Sequence, residues 1–248
     1  MMTQQEFNQC GKDIAEILML KTSPVAVKML EKESDIPAGA IRPKRDRNYH
    51  LAQCQAFALA RRNKMTIAML KEDHWCPAAL IAYGMVPRPK PLRGHPYTSF
   101  KEGRYIGVLT APLNTANFEP DVVIIYSNTS QLRSLMLSMK LEDGLAVKSH
   151  YFPPSCAYAV VHVMLENQCY IVLPDPGEFQ RALGTEDEMM FSLPAGRLAG
   201  LVTGIKEGQD REFAYRGHHM LLRPDFPHPD FYQNMFRNWG LEVKEDKL

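Results

Sequence analysis

The 248-residue sequence predicts an α+β fold, a mixed sheet with flanking helices in a single compact domain, followed by a C-terminal extension. Three observations carry that prediction. The runs SPVAVKML, IGVLTAPL, DVVIIYS and EMMFSLP are β-rich or alternate as strands do. Several longer segments instead repeat apolar residues at helical spacing. The two kinds do not alternate strictly, and no glycine-rich turn leads from a strand to a helix, which argues against a doubly wound sheet.

Residues 4 to 20 place Phe7, Ile14, Ile17 and Leu18 near one face and predict an amphipathic helix. SPVAVKML then reads as a strand. Residues 31 to 48 hold Pro, Gly and five Lys or Arg and read as a solvated loop. AQCQAFALARR predicts a helix whose basic last turn suits the helix dipole. TIAML is a short strand, and KED leads to Cys76 and a helix that Pro77 opens, a proline being suited to the first helical position. VPRPKPLRGHP is a Pro-rich basic loop. IGVLTAPL and DVVIIYS are two strands, and the second passes through Asn128 into a helix ending near Gly144. EMMFSLP and AGRLAGLVTGIKEG repeat that strand–helix order. Cys156 opens either a helix or a strand, because the run VVHV permits both; Cys169 stands near the start of a strand. The domain is expected over residues 1 to 215. Residues 216 to 248, aromatic and Pro-rich, form an extension packed on the core or on a partner.

Composition is that of a soluble globular protein: 45% hydrophobic, 23% charged, net charge +1. No global field favours nucleic acid or an acidic membrane surface. No apolar run reaches the roughly 20 residues that span a bilayer, and the N-terminus lacks the features of a secretion signal. A cytoplasmic location is expected, with neither nucleic acid nor membrane as partner. The five cysteines, Cys10, Cys54, Cys76, Cys156 and Cys169, are odd in number in a long chain, so reduced thiols or metal ligands are expected rather than a disulfide framework.

Cys54 and Cys76 lie at predicted helix starts. Free N–H groups and partial positive charge there favour a thiolate of lowered pKa, and several such sulfurs brought together could hold a metal or an iron–sulfur cluster. The spacing matches no familiar signature: 21, 79 and 12 residues separate Cys54, Cys76, Cys156 and Cys169, and no CxxC pair exists. Spacing alone leaves a four-cysteine site and buried structural cysteines both open.

Several segments together resemble the domain of unknown function 169 family. They are SPVAVKML, CQAFALARR, EDHWCPAALIAYG, LTAPLNTANFEPDVVIIY, the region of Cys156 and Cys169, and DEMMFSLP, in that order from about residue 15 to 205. The resemblance implies that Cys54, Cys76, Cys156 and Cys169 are the pattern cysteines and that Cys10 is not. Family members often carry a glycine before the fourth cysteine, where this chain has Gln168, and a turn with glycine and arginine after it, where this chain has DPGEFQR. The family is frequent in anaerobes and archaea, and the resemblance brings no reaction with it. It favours a four-sulfur site, and widely separated ligands on different elements suit a [4Fe-4S] cluster better than zinc, which more often takes close ligand pairs.

His74 and Trp75 precede Cys76. His74 could donate a proton to a cluster sulfur or to a bound molecule, and Trp75 could shield the site from water. His162 reads as a core histidine. His218, His219 and His228 could ligate a metal, although adjacent histidines point apart. The basic residues Arg42, Lys44, Arg45 and Arg47, with Arg88, Lys90 and Arg93, read as solvated faces or as a surface for an anionic substrate or acidic partner. Asp121 is expected to cap or to accept hydrogen bonds locally, and nothing marks it as a general base. GxSxG, the P-loop and GxGxxG are all absent.

The expected function is redox: electron transfer, or reduction of a small molecule beside the cluster, with a small-molecule substrate or a redox protein as partner and homo-oligomerisation possible. If Cys169 is not a ligand, one iron is open to Lewis-acid chemistry. The alternatives are a zinc- or cysteine-stabilised binding module without catalysis, and an enzyme using Cys76 as nucleophile with His74.

Overall fold

The alternating runs become strands because each presents one apolar set to either side of a sheet. In the computed structural model, which describes residues 2–90, 97–144, 147–151, 153–210 and 230–241, they are β1 (Val25–Leu30), β2 (Ile67–Leu70), β3 (Gly107–Pro112), β4 (Val122–Ser127), β5 (Lys148–His150), β6 (Tyr170–Val172) and β7 (Met189–Pro194). They form one sheet in the order β2-β3-β1-β4-β7-β6-β5. β5 and β6 are parallel and the other pairings antiparallel, so the sheet is mixed, as expected.

Helices cover both faces. Val25, Val27, Ile67, Met69, Val108, Val122, Ile124, Tyr126, Tyr170 and Met190 face one core layer. Over it lie α3 (Gln53–Asn63), α4 (Pro77–Ala82), α6 (Ser155–Glu166) and α7 (Pro176–Arg181). The intervening residues Ala26, Leu30, Leu109, Val123, Ile125, Ile171, Phe191 and Leu193 face the second layer. There lie α1 (Gln4–Ile17), α5 (Thr129–Asp143) and α8 (Leu198–Asp210). Thr3 and Asn128 cap α1 and α5 through capping boxes. Gly204 lets α8 approach α5, since a Cβ there would stand 2.5 Å from the Ser138 carbonyl oxygen.

One local reading changes, one left open is decided, and two short elements are new. The stretch 31–48 is not loop throughout: it contains α2 (Pro43–Arg47). Pro43 opens this turn of helix, and its amides are satisfied from outside, the Lys44 N–H donating to Asp73 Oδ1 at 2.8 Å. The segment from Cys156 is a helix, because burial of Ala157, Val160, Val161 and Val163 outweighs the β preference of VVHV. β5 and α7 were not expected; both are short, and α7 starts on Asp175, whose side chain accepts from the Gly177 and Glu178 amides.

Within the expected C-terminal extension the structure describes α9 (Asp230–Asn238), none of whose residues is buried. Among the described residues no helix is long and apolar enough to cross a membrane.

Candidate functional site

One backbone contact aligns the starts of α3 and α4. Leu51 and His74 form a parallel bridge, in which the Leu51 N–H donates to the Asp73 carbonyl at 3.0 Å and the Trp75 N–H donates to the Leu51 carbonyl at 2.8 Å. Each chain then turns into its helix within two residues, so Cys54, in the first turn of α3, follows the bridge by three residues and Cys76, the residue before Pro77, by two. The bridge is held from behind by Asp73. This carboxylate is fully buried and accepts from Arg42 Nε at 2.7 Å, the Lys44 amide at 2.8 Å and the Leu70 amide at 2.9 Å.

A second pair of helix starts meets the first. Asp175 Oδ2 accepts from the Ser155 amide at 2.7 Å, and its Oδ1 accepts from the Gly177 amide at 2.7 Å. One side chain thus ties the start of α6, which has no cap of its own, to that of α7. Cys156 follows Ser155. On the α3 side, Cys54 Sγ lies 3.7 Å from the Gly177 carbonyl oxygen.

Tyr83 closes the constellation. It is fully buried, and its hydroxyl donates to the Cys156 carbonyl at 3.2 Å. Burial first, and then the nearby Cys156, Cys54 and Cys76, hold its phenol protonated well above the ordinary range. Tyr97 donates to the Ala78 carbonyl at 2.6 Å and is likewise raised by burial, Cys156 and Cys76. Cys54, Cys76 and Cys156 are therefore gathered in one core layer.

Cys169 is not brought to this set. It packs in the opposite layer with Ile171, as strand alternation requires. It also follows the far end of α6, whose 12 residues rise about 18 Å. Cys10 borders the same opposite layer.

Burial also corrects the expectation of a lowered thiol pKa at Cys54. Cys54 is pushed up to about 12, by burial first and then by the Glu178 carboxyl, while Arg181 opposes. Cys156 is raised well above the ordinary range by burial, then by Cys54 and Glu178. The helix ends are outweighed, so only a cation at the site makes these sulfurs thiolates.

Glu178, on α7, is fully buried and receives the Tyr126 hydroxyl at 3.2 Å on each carboxyl oxygen. Burial pushes it up to about 8, with Asp175 adding to the rise and Arg61 opposing it. Arg61 lies 3.8 Å over the Tyr126 ring and pairs with Glu188 at 2.6 and 3.0 Å. The raised Glu178 gives a signed prediction. The folded chain keeps a proton that the unfolded chain releases above about pH 4.3, so this carboxyl's share of stability falls as pH rises from there to about 8. Glu178→Gln is expected to gain on the wild type by a few kcal/mol between about pH 5 and pH 8, measured by urea denaturation. A constant difference across that range would contradict it.

His74 is buried, 7% exposed, and neither ring nitrogen has a hydrogen-bond partner. Burial lowers it to about 4, against the opposing charge of Asp73, so at pH 7 it is a neutral imidazole with one N–H and one lone pair. It does not hydrogen-bond Cys76, so the nucleophile–base pair is not formed. Trp75 is no shield, being 61% exposed with the Arg181 guanidinium 5.4 Å over its ring.

The other singled-out residues are structural or lie elsewhere. His162 stacks on Tyr158 at 3.7 Å and meets Glu166 at 3.1 Å. Asp121 does not cap locally: it accepts from the Met29 amide on β1, 92 residues away, at 2.8 Å. Arg42 is consumed by Asp73 and Glu72, and Arg45 by Asp46. Arg93, His218, His219 and His228 lie outside the described residues. Among the described residues no set of three or more His, Cys, Asp or Glu side chains closes on a single metal-ion position. The contributions of α7, namely Asp175, Glu178 and Arg181, were missed; the Asp-Pro pair at its start is the helix-opening signal that could have found it.

The family described as DUF169, uncharacterised ArCR, matches residues 13–102 and 95–204. No curated protein and no solved structure matches the chain.

Proposed function

The chain belongs to the domain of unknown function 169 family, and we propose that it is an iron–sulfur redox protein whose [4Fe-4S] cluster is held by Cys54, Cys76 and Cys156. The observation that carries this reading is the placing of three cysteines from three separate helix starts in or against one core layer, each near enough to act electrostatically on the buried Tyr83 phenol. Their donor chemistry fits the group, since thiolates are the ligands such clusters take. Ligands far apart in sequence on separate helices suit a cluster better than zinc, which more often takes close ligand pairs.

When bound, the cluster supplies one-electron chemistry at this position. The chain does the rest. Asp175 and the Leu51–His74 bridge fix the segments that carry the sulfurs. Tyr83, Tyr97 and the apolar faces of α3 and α6 exclude water. Arg181 sits at the surface, within reach of Cys54 and over Trp75. A cation on an exposed aromatic ring suits an anionic small molecule or the acidic face of a redox partner.

The test is anaerobic purification with metal and sulfide analysis. About four irons and four sulfides per chain, with a broad absorption near about 400 nm that bleaches on reduction, are expected. A colourless protein with stoichiometric zinc would overturn the reading and leave a binding module.

A further inference from the structure

Three cysteines leave a four-iron cluster one protein ligand short, and Cys169 lies in the other layer. We propose that His74 is the fourth ligand, its imidazole nitrogen occupying the position that no cysteine reaches. This rests on the iron–sulfur reading above and names how its site is completed.

Backbone geometry aims the ring. His74 (ψ 134°) and Cys76 (ψ 116°) are both extended, so their side chains leave the chain on the same side and Trp75 between them leaves on the other. Burial agrees: Trp75 is exposed, whereas His74 is buried and Cys76 packs against the core layer that holds Cys54 and Cys156. The His74 ring stands edge-on to Tyr83, 6.5 Å between centroids. The Tyr83 hydroxyl donates to the Cys156 carbonyl at 3.2 Å, and its phenol is acted on electrostatically by all three cysteines.

The second observation is the unpartnered ring. A buried imidazole ordinarily bonds at one nitrogen at least. Among the described residues His74 is the only imidazole or carboxyl group buried with every polar atom unpartnered. His162, the other histidine with a buried open nitrogen, bonds Glu166 through Nδ1. Asp73, Asp175, Glu178 and Glu188 are all engaged. The position is also fixed in advance, because the bridge to Leu51 and the hydrogen bonds of Asp73 hold its backbone.

The consequence is functional. With all four irons bound to protein, the site carries electrons and does not bind substrate at iron. A neutral nitrogen in place of a thiolate also removes one negative charge and raises the reduction potential.

The test uses the full chain, reconstituted anaerobically with ferrous iron and sulfide, as wild type, His74→Ala and His74→Cys. Pulsed electron paramagnetic resonance of the reduced wild type is expected to show the strong coupling of a directly bound nitrogen, absent from both variants. His74→Cys is expected to keep its iron and sulfide and to have a lower potential than the wild type. A nitrogen coupling that persists in His74→Ala, or equal potentials in wild type and His74→Cys, would overturn the assignment while leaving the cluster in place. A wild type that takes up no iron and sulfide would instead overturn the iron–sulfur reading, and the assignment with it. Should His74→Ala fail to fold, His74→Cys decides.

Discussion

Asp73→Ala is expected to destabilise the fold by about 3–5 kcal/mol, the scale of removing one partner from a buried ion pair. Asp73 is fully buried and the Arg42 side chain is 4% exposed. Removing the carboxylate leaves that guanidinium with Glu72, an exposed residue, as its remaining carboxylate partner. It also strips the acceptor from the Lys44 and Leu70 amides. Asp73→Asn keeps the shape and part of the hydrogen bonding, and is expected to cost less. Urea denaturation of both variants measures the difference. A loss below about 1 kcal/mol for Asp73→Ala would show the pair to be dispensable. The effect reaches the site, because Asp73 immediately precedes His74 and its carbonyl accepts from Leu51. Loosening the bridge frees the two segments that end in Cys54 and Cys76. Iron retention in Asp73→Asn is therefore expected to fall more than its stability alone implies.

The sheet was legible because its strands announce themselves. DVVIIYS and EMMFSLP pair side by side as β4 and β7, and their alternation predicts two buried faces. The long helices were legible for the same reason of period. What escaped was structure that draws its stability from elsewhere in the chain. α2 is five residues in a basic, Pro-containing stretch, and Asp73 lies about 30 residues away. α7 is six residues, and its role appears only when Gly177 meets Cys54, 123 residues apart. At the site, the sequence placed Cys54 and Cys76 at helix starts and left Cys156 between helix and strand. It did not say which layer each sulfur enters. NQCYIVL alternates, so Cys169 and Tyr170 must face opposite ways, but only the neighbours on β7 decide which way is toward α6. The thiol pKa values escaped for a related reason: the helix ends were visible in the sequence and the depth of burial was not.

Cys54→Ala, Cys76→Ala and Cys156→Ala are each expected to lose most of the iron and sulfide that the wild type takes up, whereas Cys169→Ala keeps them. The layers of the sheet make this contrast sharp. Cys169 is as buried as Cys54, 6% against 4% exposed, so burial does not distinguish them; their sides of the sheet do. Folding is the competing explanation for any loss, and alanine controls for it. A buried free cysteine behaves as a small apolar residue, so each replacement is expected to cost about 1 kcal/mol in the metal-free chain. The four metal-free variants should therefore unfold at similar urea concentrations while their iron contents divide three to one. Serine is the poorer replacement, because its hydroxyl would be buried where Cys156 stands and an unpaired hydroxyl costs about 1–3 kcal/mol. If Cys169→Ala loses iron as completely as the others, at unchanged metal-free stability, Cys169 is a ligand and the separation of layers does not describe the loaded protein. If Cys76→Ala alone keeps its iron, the half-buried sulfur is the dispensable one, and the site rests on the two helices, α3 and α6, that bury theirs.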